Sequence, residues 1–259
     1  MGDVSTAFIA TRAGAIECLR VNPEADPARG AFVLLHGIQG TAAAWAEVAA
    51  HLGGERAIWM PNLRGRGRSP VPDEPGAYTL DHFATDLHAV IEAATGPVTL
   101  VGWSMGVLVS LTYLDLYGAD KLDGLVLASG TARPGHDAVW FHADTADAVA
   151  EEARARAVRL ALTAYATPTA VAGAWASVRA ADLQATLSRI ALPTLVMHGE
   201  QDDQCPLAHG RLITAGILDA ALEIWPGAGH NLMALDPERF AQSLLRYSVL
   251  SGSCRMNAI

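Results

Sequence analysis

Short, continuously apolar segments alternate along this 259-residue chain with segments of helical periodicity. Strands that are buried on both faces of a sheet have continuous apolar sequences, whereas half-buried strands alternate apolar and polar residues. The predicted strands are residues 31–35, 57–60, 97–101, 124–128, 194–197 and 222–225. Because strands that alternate with helices pair in parallel and are covered on both sides, the pattern predicts an α/β fold with a mostly parallel central sheet flanked by helices.

Two further segments extend this prediction. An earlier pair of strands, at residues 7–11 and 16–21 with Gly14 near the turn, predicts an antiparallel hairpin at the sheet edge. Later in the chain, residues 131–190 contain no convincing strand and are rich in alanine and arginine. We therefore expect one core, formed by residues 1–130 and 191–259, and a helical cap of residues 131–190 inserted after the sixth strand.

Composition narrows the class of partner. The net charge is −9 with 51% hydrophobic residues, whereas a nucleic-acid-binding domain normally carries a basic excess, so no nucleic acid is expected. No apolar run reaches the roughly 18 residues of a membrane-spanning helix. The N-terminus has no signal-peptide pattern, and the cysteines (Cys18, Cys205 and Cys254) lack paired or metal spacing, so we expect free thiols in a cytoplasmic protein. The histidine spacings indicate no metal site, and no cofactor is expected.

A glycine-flanked serine, Gly102-Trp103-Ser104-Met105-Gly106, follows one predicted strand and precedes a nearly all-apolar helical segment. A serine hydroxyl is a poor nucleophile unless it is exposed, oriented and next to a base. A sharp turn from strand to helix presents the hydroxyl, and flanking glycines allow the two elements to approach closely. The amides at the start of the helix point at the site where a negative oxygen develops. Ser104 is therefore the predicted nucleophile.

With this motif in place, the chain resembles the α/β-hydrolase family over nearly its whole length. His36-Gly37-Ile38-Gln39-Gly40 matches the family's His-Gly turn, and the resemblance implies an oxyanion hole formed by the backbone N–H groups of Ile38 and Met105. For His36 itself we expect a structural role. An α/β-hydrolase fold is the implied architecture.

The resemblance also implies the base and the acid. Asp202 lies three residues after Gly199 at the family's acid position, although the adjacent Asp203 stays an alternative. His230 follows the last predicted strand in a Gly-His pair and is the implied base. The order Ser, Asp, His is the α/β-hydrolase order. The acid would fix the tautomer of the histidine, and the histidine would take and return a proton.

Two arginine-rich segments are predicted to be exposed to solvent. In Pro61-Asn62-Leu63-Arg64-Gly65-Arg66-Gly67-Arg68 the chain has Asn62 where the family usually has Asp, and Arg66 where it often has His. The three alternating arginines predict a solvated loop, with anion binding as the alternative. In the cap, Arg154, Arg156 and Arg159 beside two glutamates predict a solvated helix with ion pairs.

The expected activity is that of a serine hydrolase. The leading hypothesis is cleavage of a small or medium apolar carboxylic ester, lactone or thioester through an acyl-enzyme on Ser104. Alternatives are a carbon–carbon bond hydrolase, another non-ester acyl hydrolase, or a ligand receptor on a hydrolase scaffold. The candidates to line an apolar substrate pocket are Trp103, Trp140, Phe141 and Trp175, each of which could equally pack the cap against the core. The sequence leaves the oligomeric state open.

Overall fold

An eight-stranded sheet runs through the centre of the protein, in a computed structural model that describes residues 4–256 and the side chains of residues 4–247. The strands of this described part are β1 (Ser5–Thr11), β2 (Gly14–Val21), β3 (Ala31–Leu35), β4 (Ala57–Pro61), β5 (Val98–Trp103), β6 (Leu122–Ala128), β7 (Thr194–Gly199) and β8 (Ala220–Trp225). The α-helices are α1 (Ala46–His51), α2 (Leu80–Ala93), α3 (Met105–Tyr117), α4 (Ala146–Arg159), α5 (Pro168–Arg179), α6 (Gln184–Leu187), α7 (Leu207–Gly216), α8 (Leu232–Leu235) and α9 (Pro237–Met256).

The strand order is β1-β2-β4-β3-β5-β6-β7-β8. From β4 to β8 every neighbouring pair is parallel, whereas β1 pairs with β2 and β2 with β4 in antiparallel register. The prediction of a mostly parallel sheet with an antiparallel hairpin at one edge is therefore confirmed. Because β3, β5 and β7 are parallel neighbours or near neighbours, the loops that follow them emerge at the same edge of the sheet, where ligands bind in open α/β folds.

Helices cover both faces of the sheet and form two apolar cores. All five residues of β3 and of β4 are buried, which explains why these strands have continuous apolar sequences. One core packs α2 and α3 against the sheet, and the other packs α1 and α9 against its opposite face. Helix α2 begins at a Thr79 cap whose side chain accepts from the His82 amide, and α9 begins after Asp236, whose carboxylate accepts from the Arg239 amide at 2.9 Å.

The segment from residue 131 to residue 190, which we name the insertion segment, connects β6 to β7. All of its residues are described, and it contains α4, α5 and α6 but no strand. Helices α4 and α5 pack against each other, and α5 also packs on the core, where a side chain at Gly173 would collide with the carbonyl of Pro75. This packing holds the insertion segment over the loops that leave the carboxyl edge of the sheet.

Two further findings concern expectations from the sequence. No helix in the part of the chain that the structure describes is both long and apolar enough to cross a membrane. Cys18 and Cys205 are buried free thiols, and the side chain of Cys254 lies outside the described residues.

Candidate active site

Ser104 occupies a strained turn between β5 and α3. Its backbone has φ 57° and ψ −117°, a positive φ that a residue with a side chain rarely adopts. The flanking glycines have a steric reason: a Cβ on Gly102 would lie 2.5 Å from the carbonyl oxygen of Gly106, and one on Gly106 would lie 2.8 Å from that of Leu35. The turn therefore needs glycine on both sides, and it projects Ser104 from the carboxyl edge of the sheet.

Ser104, His230 and Asp202 form a continuous hydrogen-bonded line. The Nε2 atom of His230 lies 3.0 Å from the Oγ of Ser104. On the other side of the ring, Nδ1 lies 2.9 and 3.0 Å from the two carboxylate oxygens of Asp202. All three residues are buried, with 4 to 6% of their surface exposed. Since Asp202 accepts the Nδ1 proton, Nε2 is free to take the proton of the serine hydroxyl.

The loop after β7 holds Asp202 in place. Its Oδ1 accepts hydrogen bonds from the amides of Gln204 and Cys205 at 3.0 and 2.8 Å. The neighbouring Asp203 is exposed, and it is Asp202 that the structure brings to His230. The carboxylate thus has fixed donors on one side and His230 on the other.

A second buried histidine, His198, lies behind the acid. Its Nε2–H donates to the carbonyl of Cys205 at 2.7 Å, and the same nitrogen is 3.5 Å from the Oδ2 of Asp202. Burial lowers the pKa of His198, so the ring is held neutral at physiological pH. The hydrogen bond from His198 to Cys205 therefore links the two ends of the loop that carries Asp202.

The two backbone amides that the sequence analysis predicted as oxyanion donors, those of Met105 and Ile38, belong to the turns that flank Ser104. The Met105 amide is the first of α3, where no intrahelical acceptor exists. Ile38 lies in the loop after β3 and lines the same cavity as Ser104, and a side chain on the preceding Gly37 would lie 3.2 Å from the Cβ of Ser104. Within residues 4–256 neither amide donates to another protein group. Both N–H groups are thus available to an oxyanion.

The loop that carries the Ile38 amide is held from below and from the side. From below, the Nη2 of Arg66 donates to the carbonyl of Ile38 at 2.7 Å. From the insertion segment, the amide of Ala166 donates to the carbonyl of Gln39 at 3.0 Å, while the side-chain amide of Gln39 donates to the carbonyl of Ala153 at 2.7 Å. These contacts fix both peptide groups that follow the Ile38 amide.

Arg64 and Arg66 are buried, so the prediction of a solvated loop is wrong for this segment. Arg64 forms an ion pair with Asp86 at 2.8 Å, and both side chains are almost fully enclosed. Arg66 is 1% exposed, donates to two backbone carbonyls and stacks over the ring of Phe83 at 4.9 Å. Burial lowers the pKa of Arg66 to about 9. Arg64 and Arg66 both lie on the inner side of the loop, where carbonyls and Asp86 replace water, whereas the Arg68 side chain is exposed.

His36 lies beneath the same loop. Its Nδ1–H donates to the carbonyl of Gly37 at 2.9 Å, and its Nε2 accepts from the amide of Leu63 at 3.3 Å. Burial, with the nearby charge of Arg66, lowers the pKa of His36 to about 3. The ring is therefore neutral and bridges two loops, in accord with the structural role expected for it.

The presence of Asn62, where the family usually has Asp, also has a local explanation. Its side-chain amide donates to the carboxylate of Glu17 at 2.9 Å, and that carboxylate also binds Arg68 at 2.6 Å. An aspartate at this position would place a second carboxylate against Glu17. The negative charge is thus supplied by β2 rather than by residue 62.

A cavity of about 310 Å³ opens above Ser104 and His230, a size suited to a small organic ligand. We name its two sides by origin. The core face consists of residues 38–41, 43, 44, 103, 104, 204, 230 and 231, and the insertion face consists of residues 140, 156 and 160–164. The insertion segment therefore supplies one wall of the site.

Of the four aromatic residues predicted to line a pocket, Trp103 and Trp140 do so. The indole N–H of Trp103 donates to the carbonyl of His230 at 3.2 Å, and that of Trp140 donates to the carbonyl of Gln204 at 3.0 Å. Phe141 and Trp175 require a correction, because they are buried and pack behind Trp140. The rings of Trp140 and Trp175 are 5.7 Å apart, and Phe141 packs edge-on against Trp175.

The other residues of the insertion face have no recognisable signature in the sequence. Residues 160–164 are small or aliphatic and carry no chemical signature. Arg156 was expected on a solvated helix, and Arg154 does form an exposed ion pair with Glu151. Arg156, two residues later, instead lies half-buried at the cavity wall. Among the described residues, no group of three His, Cys, Asp or Glu side chains could hold a metal ion.

Comparisons with known proteins agree with this geometry. A model of the alpha/beta hydrolase family matches residues 32–243. The chain is 25% identical over 244 residues to a pimeloyl-[acyl-carrier protein] methyl ester esterase of Chromobacterium violaceum, an alignment that covers 83% of this chain and 92% of that protein. It is 30% identical over 248 residues to a putative carbamate hydrolase, RutD, of Variovorax paradoxus, covering 85% and 92%. An esterase structure from Exiguobacterium antarcticum shares the fold, with a TM-score of 0.79, 22% identity and coverage of 94% of this chain and 99% of that one.

Proposed function

The chain belongs to the alpha/beta hydrolase family, and from that premise we propose that it hydrolyses a small or medium-sized carboxylic ester, lactone or thioester through an acyl-enzyme on Ser104. The observation that carries the proposal is the line from Ser104 through His230 to Asp202, with 3.0 and 2.9 Å between successive partners. The esterase relative of Chromobacterium violaceum supports the choice of an ester.

The proposed reaction begins with proton transfer. His230 Nε2 takes the Ser104 hydroxyl proton as Oγ attacks the substrate carbonyl carbon. The carbonyl oxygen becomes negative and accepts hydrogen bonds from the Ile38 and Met105 amides, each of which contributes about 3 kcal/mol in comparable sites. His230 then gives its proton to the departing alcohol or thiol, and the bond to the leaving group breaks.

Water completes the cycle. His230 removes a proton from a water molecule, whose oxygen attacks the acyl carbon of the ester on Ser104. The second tetrahedral intermediate uses the same two amides. Its collapse breaks the bond to Oγ, returns a proton from His230 to Ser104 and releases the carboxylic acid. Asp202 stabilises the charged imidazole during both steps.

We further propose that the insertion segment acts as the cap of this site. Its position over the carboxyl edge of the sheet and its wall of the 310 Å³ cavity support this role. The buried free thiols of Cys18 and Cys205 support the expectation of a reducing compartment such as the cytoplasm.

Carbamate hydrolysis is the second candidate, because the relative of Variovorax paradoxus is a putative carbamate hydrolase and is 30% identical. It would use the same serine, histidine and amides, with an amine or ammonia as the leaving group. A carbon–carbon bond hydrolase and a receptor without turnover are less well supported, since neither has a relative among the comparisons described above.

The test is turnover of p-nitrophenyl esters of increasing acyl length by the wild type and Ser104→Ala. We expect the wild type to show an optimum length and Ser104→Ala to lose at least about 10³-fold in kcat, with an unchanged circular dichroism spectrum and Tm. A folded Ser104→Ala variant that retains most of the activity would overturn the proposal. If no ester is hydrolysed but a carbamate is, the second candidate replaces the first.

A further inference from the structure

Among the described residues that line the cavity above Ser104, Arg156 is the one side chain with a permanent charge. The other titratable residue of the lining is His230. The remaining lining residues are apolar or neutral and polar. Arg156 lies in α4 on the insertion face, two residues from the exposed Arg154. An isolated guanidinium in a largely apolar cavity needs an explanation, because a charge removed from water is unfavourable without a partner.

The partners of Arg156 within the protein are neutral. Its Nη2 donates to the side-chain oxygen of Gln204, and its Nη1 is 3.5 Å from the carbonyl of Trp140. The nearby Glu152 carboxylate accepts from the amides of His142 and Ala143 at 2.9 and 3.2 Å. No carboxylate among the described residues forms an ion pair with Arg156. A guanidinium carries five N–H donors, so most of its donor capacity remains for a ligand.

Electrostatics favour an anion at this position. Partial burial lowers the pKa of Arg156 and the neighbouring charge of Arg159 lowers it further, whereas the carboxylates of Glu152 and Asp203 act in the opposite direction. Because the pKa is lowered overall and neither carboxylate forms an ion pair with Arg156, the positive charge is not fully compensated within the described residues. A carboxylate would relieve this, since its two oxygens match the geometry of the guanidinium fork.

Arg156 also stands where two cavities meet. A second, more polar cavity of about 500 Å³ shares Trp140, Arg156 and Gln204 with the cavity above Ser104, and its own lining includes Arg159 and the carboxylates of Glu152 and Asp203. A ligand could therefore place an apolar body over Ser104 and a charged end at the boundary, where water is accessible. The arrangement separates the reacting carbonyl from the charged group by the length of the ligand.

We propose that Arg156 anchors an anion subsite, and that the preferred substrate is an ester with an apolar body and a carboxylate remote from the bond that is cleaved. This inference rests on the proposed ester hydrolysis and specifies its substrate class. Arg156 is a specificity residue in this scheme, and the chemistry at Ser104 does not depend on its charge.

The test compares esters matched in carbon number. One series places the carboxylate on the acyl side, with monomethyl dicarboxylates from succinate to suberate against methyl alkanoates. A second series places it on the alcohol side, with O-acetyl ω-hydroxy acids against alkyl acetates. We expect the wild type to favour the carboxylate member of at least one series by about tenfold or more in kcat/KM, since a charge-assisted hydrogen bond is worth about that factor.

Three variants distinguish an effect of the Arg156 charge from a general effect of changing helix α4. Arg156→Gln is expected to lose about tenfold to a hundredfold in kcat/KM on the carboxylate esters and less than about threefold on the neutral ones. Arg156→Lys should retain part of the preference. Arg154→Gln is the matched control, because it removes the same charge from the same helix at a side chain that lines neither cavity.

Each outcome bears on one proposal. If neutral and carboxylate esters are hydrolysed equally, or if Arg156→Gln loses both equally, the anion subsite is wrong and ester hydrolysis stands. If no ester is hydrolysed, ester hydrolysis is wrong, and the subsite is judged by calorimetric titration of hexanoate and of hexanamide into Ser104→Ala. Tighter binding of hexanoate that disappears in Ser104→Ala with Arg156→Gln supports the subsite, and equal binding of the two overturns it.

Discussion

The two faces of the cavity are built on different principles. On the core face, the reacting groups are fixed from behind: His230 by Asp202, which two amides hold in turn, and the Ile38 peptide by Arg66. On the insertion face, residues 160–164 have small or aliphatic side chains, and Arg156 has neutral hydrogen-bond partners and spare donors. Under the proposals above, the core face would carry the reaction, and the insertion face would contact the part of the ligand that varies. Changes on the core face should lower kcat for all substrates, and changes on the insertion face should alter the choice among them.

The largest effect is expected at Asp202. Asp202→Asn should lower kcat by about 10³- to 10⁴-fold on every substrate, because an amide stabilises the wrong tautomer of His230 and cannot compensate the imidazolium charge. Asp203→Asn is the matched control, since Asp203 is exposed and lines the second cavity but not the cavity above Ser104, and it should stay within about twofold on neutral esters. Steady-state kinetics on neutral and carboxylate esters would decide. Similar losses in both variants would show that Asp202 is not the carboxylate that supports His230.

A smaller, equally uniform effect is expected at Arg66. Arg66→Met removes the donor that holds the Ile38 carbonyl at 2.7 Å and leaves that carbonyl buried and unpaired. We expect kcat to fall by about 10- to 100-fold with little change in the order of substrate preference. Arg66→Lys should recover part of kcat, since one ammonium donor can replace one of the two lost bonds. A variant with altered preference but normal kcat would contradict the division between the faces.

The support beneath the core face should also depend on pH. The pKa of His36 falls from 6.5 in the unfolded chain to about 3 in the folded one, so below pH 6.5 the unfolded state binds a proton that the folded state does not. The stability that His36 contributes is therefore complete above pH 6.5 and is lost as the pH falls toward 3, by about 1.4 kcal/mol per unit. Urea unfolding between pH 7.5 and 5.0 measures this slope.

His36→Gln is the control for that slope, because glutamine can donate to Gly37 and accept from Leu63 without titrating. The variant should show a shallower dependence than the wild type. Some dependence should persist, since burial lowers the pKa of His198 in the same direction. Equal slopes in the two proteins would show that His36 is not kept neutral by the fold.

The core face could be predicted from the sequence because its residues follow directly from strands. Ser104 and Asp202 lie within a few residues of the carboxyl ends of β5 and β7, and the strands are visible as continuous apolar runs. Parallel pairing brings those ends together, so chain spacing becomes proximity in space. The spacing from Gly199 favoured Asp202 but left Asp203 as an alternative, because the fold of the loop determines which of two adjacent carboxylates faces His230.

The insertion face could not be predicted in this way. Whether Arg156 points into a cavity or into water depends on how α4 is oriented on the core, and the sequence of α4 alone allows either orientation. The same difficulty made the solvated-loop prediction wrong for Arg64 and Arg66, whose carbonyl and carboxylate partners are up to 28 residues away in sequence. Aromatic residues are equally ambiguous, since Trp140 lines the cavity and Trp175 packs behind it.

The smallest effect is expected where the two faces meet, at Gln39. Gln39→Met keeps the shape of the side chain but removes its hydrogen bond to the carbonyl of Ala153 in α4. The Gln39 side-chain oxygen is buried and has no hydrogen-bond partner among the described residues, so the loss of a satisfied donor is offset by the removal of an unsatisfied acceptor. We expect the free energy of unfolding to change by less than about 1 kcal/mol.

The backbone hydrogen bond from the amide of Ala166 to the carbonyl of Gln39 still holds the loop in this variant, so kcat should fall by no more than about fivefold, equally for neutral and carboxylate esters. Kinetics on the two ester types, with chemical denaturation of the same samples, measures both quantities. A larger loss confined to one ester type would mean that the insertion face acts on the reaction through Gln39, and the two faces would then have to be treated as one.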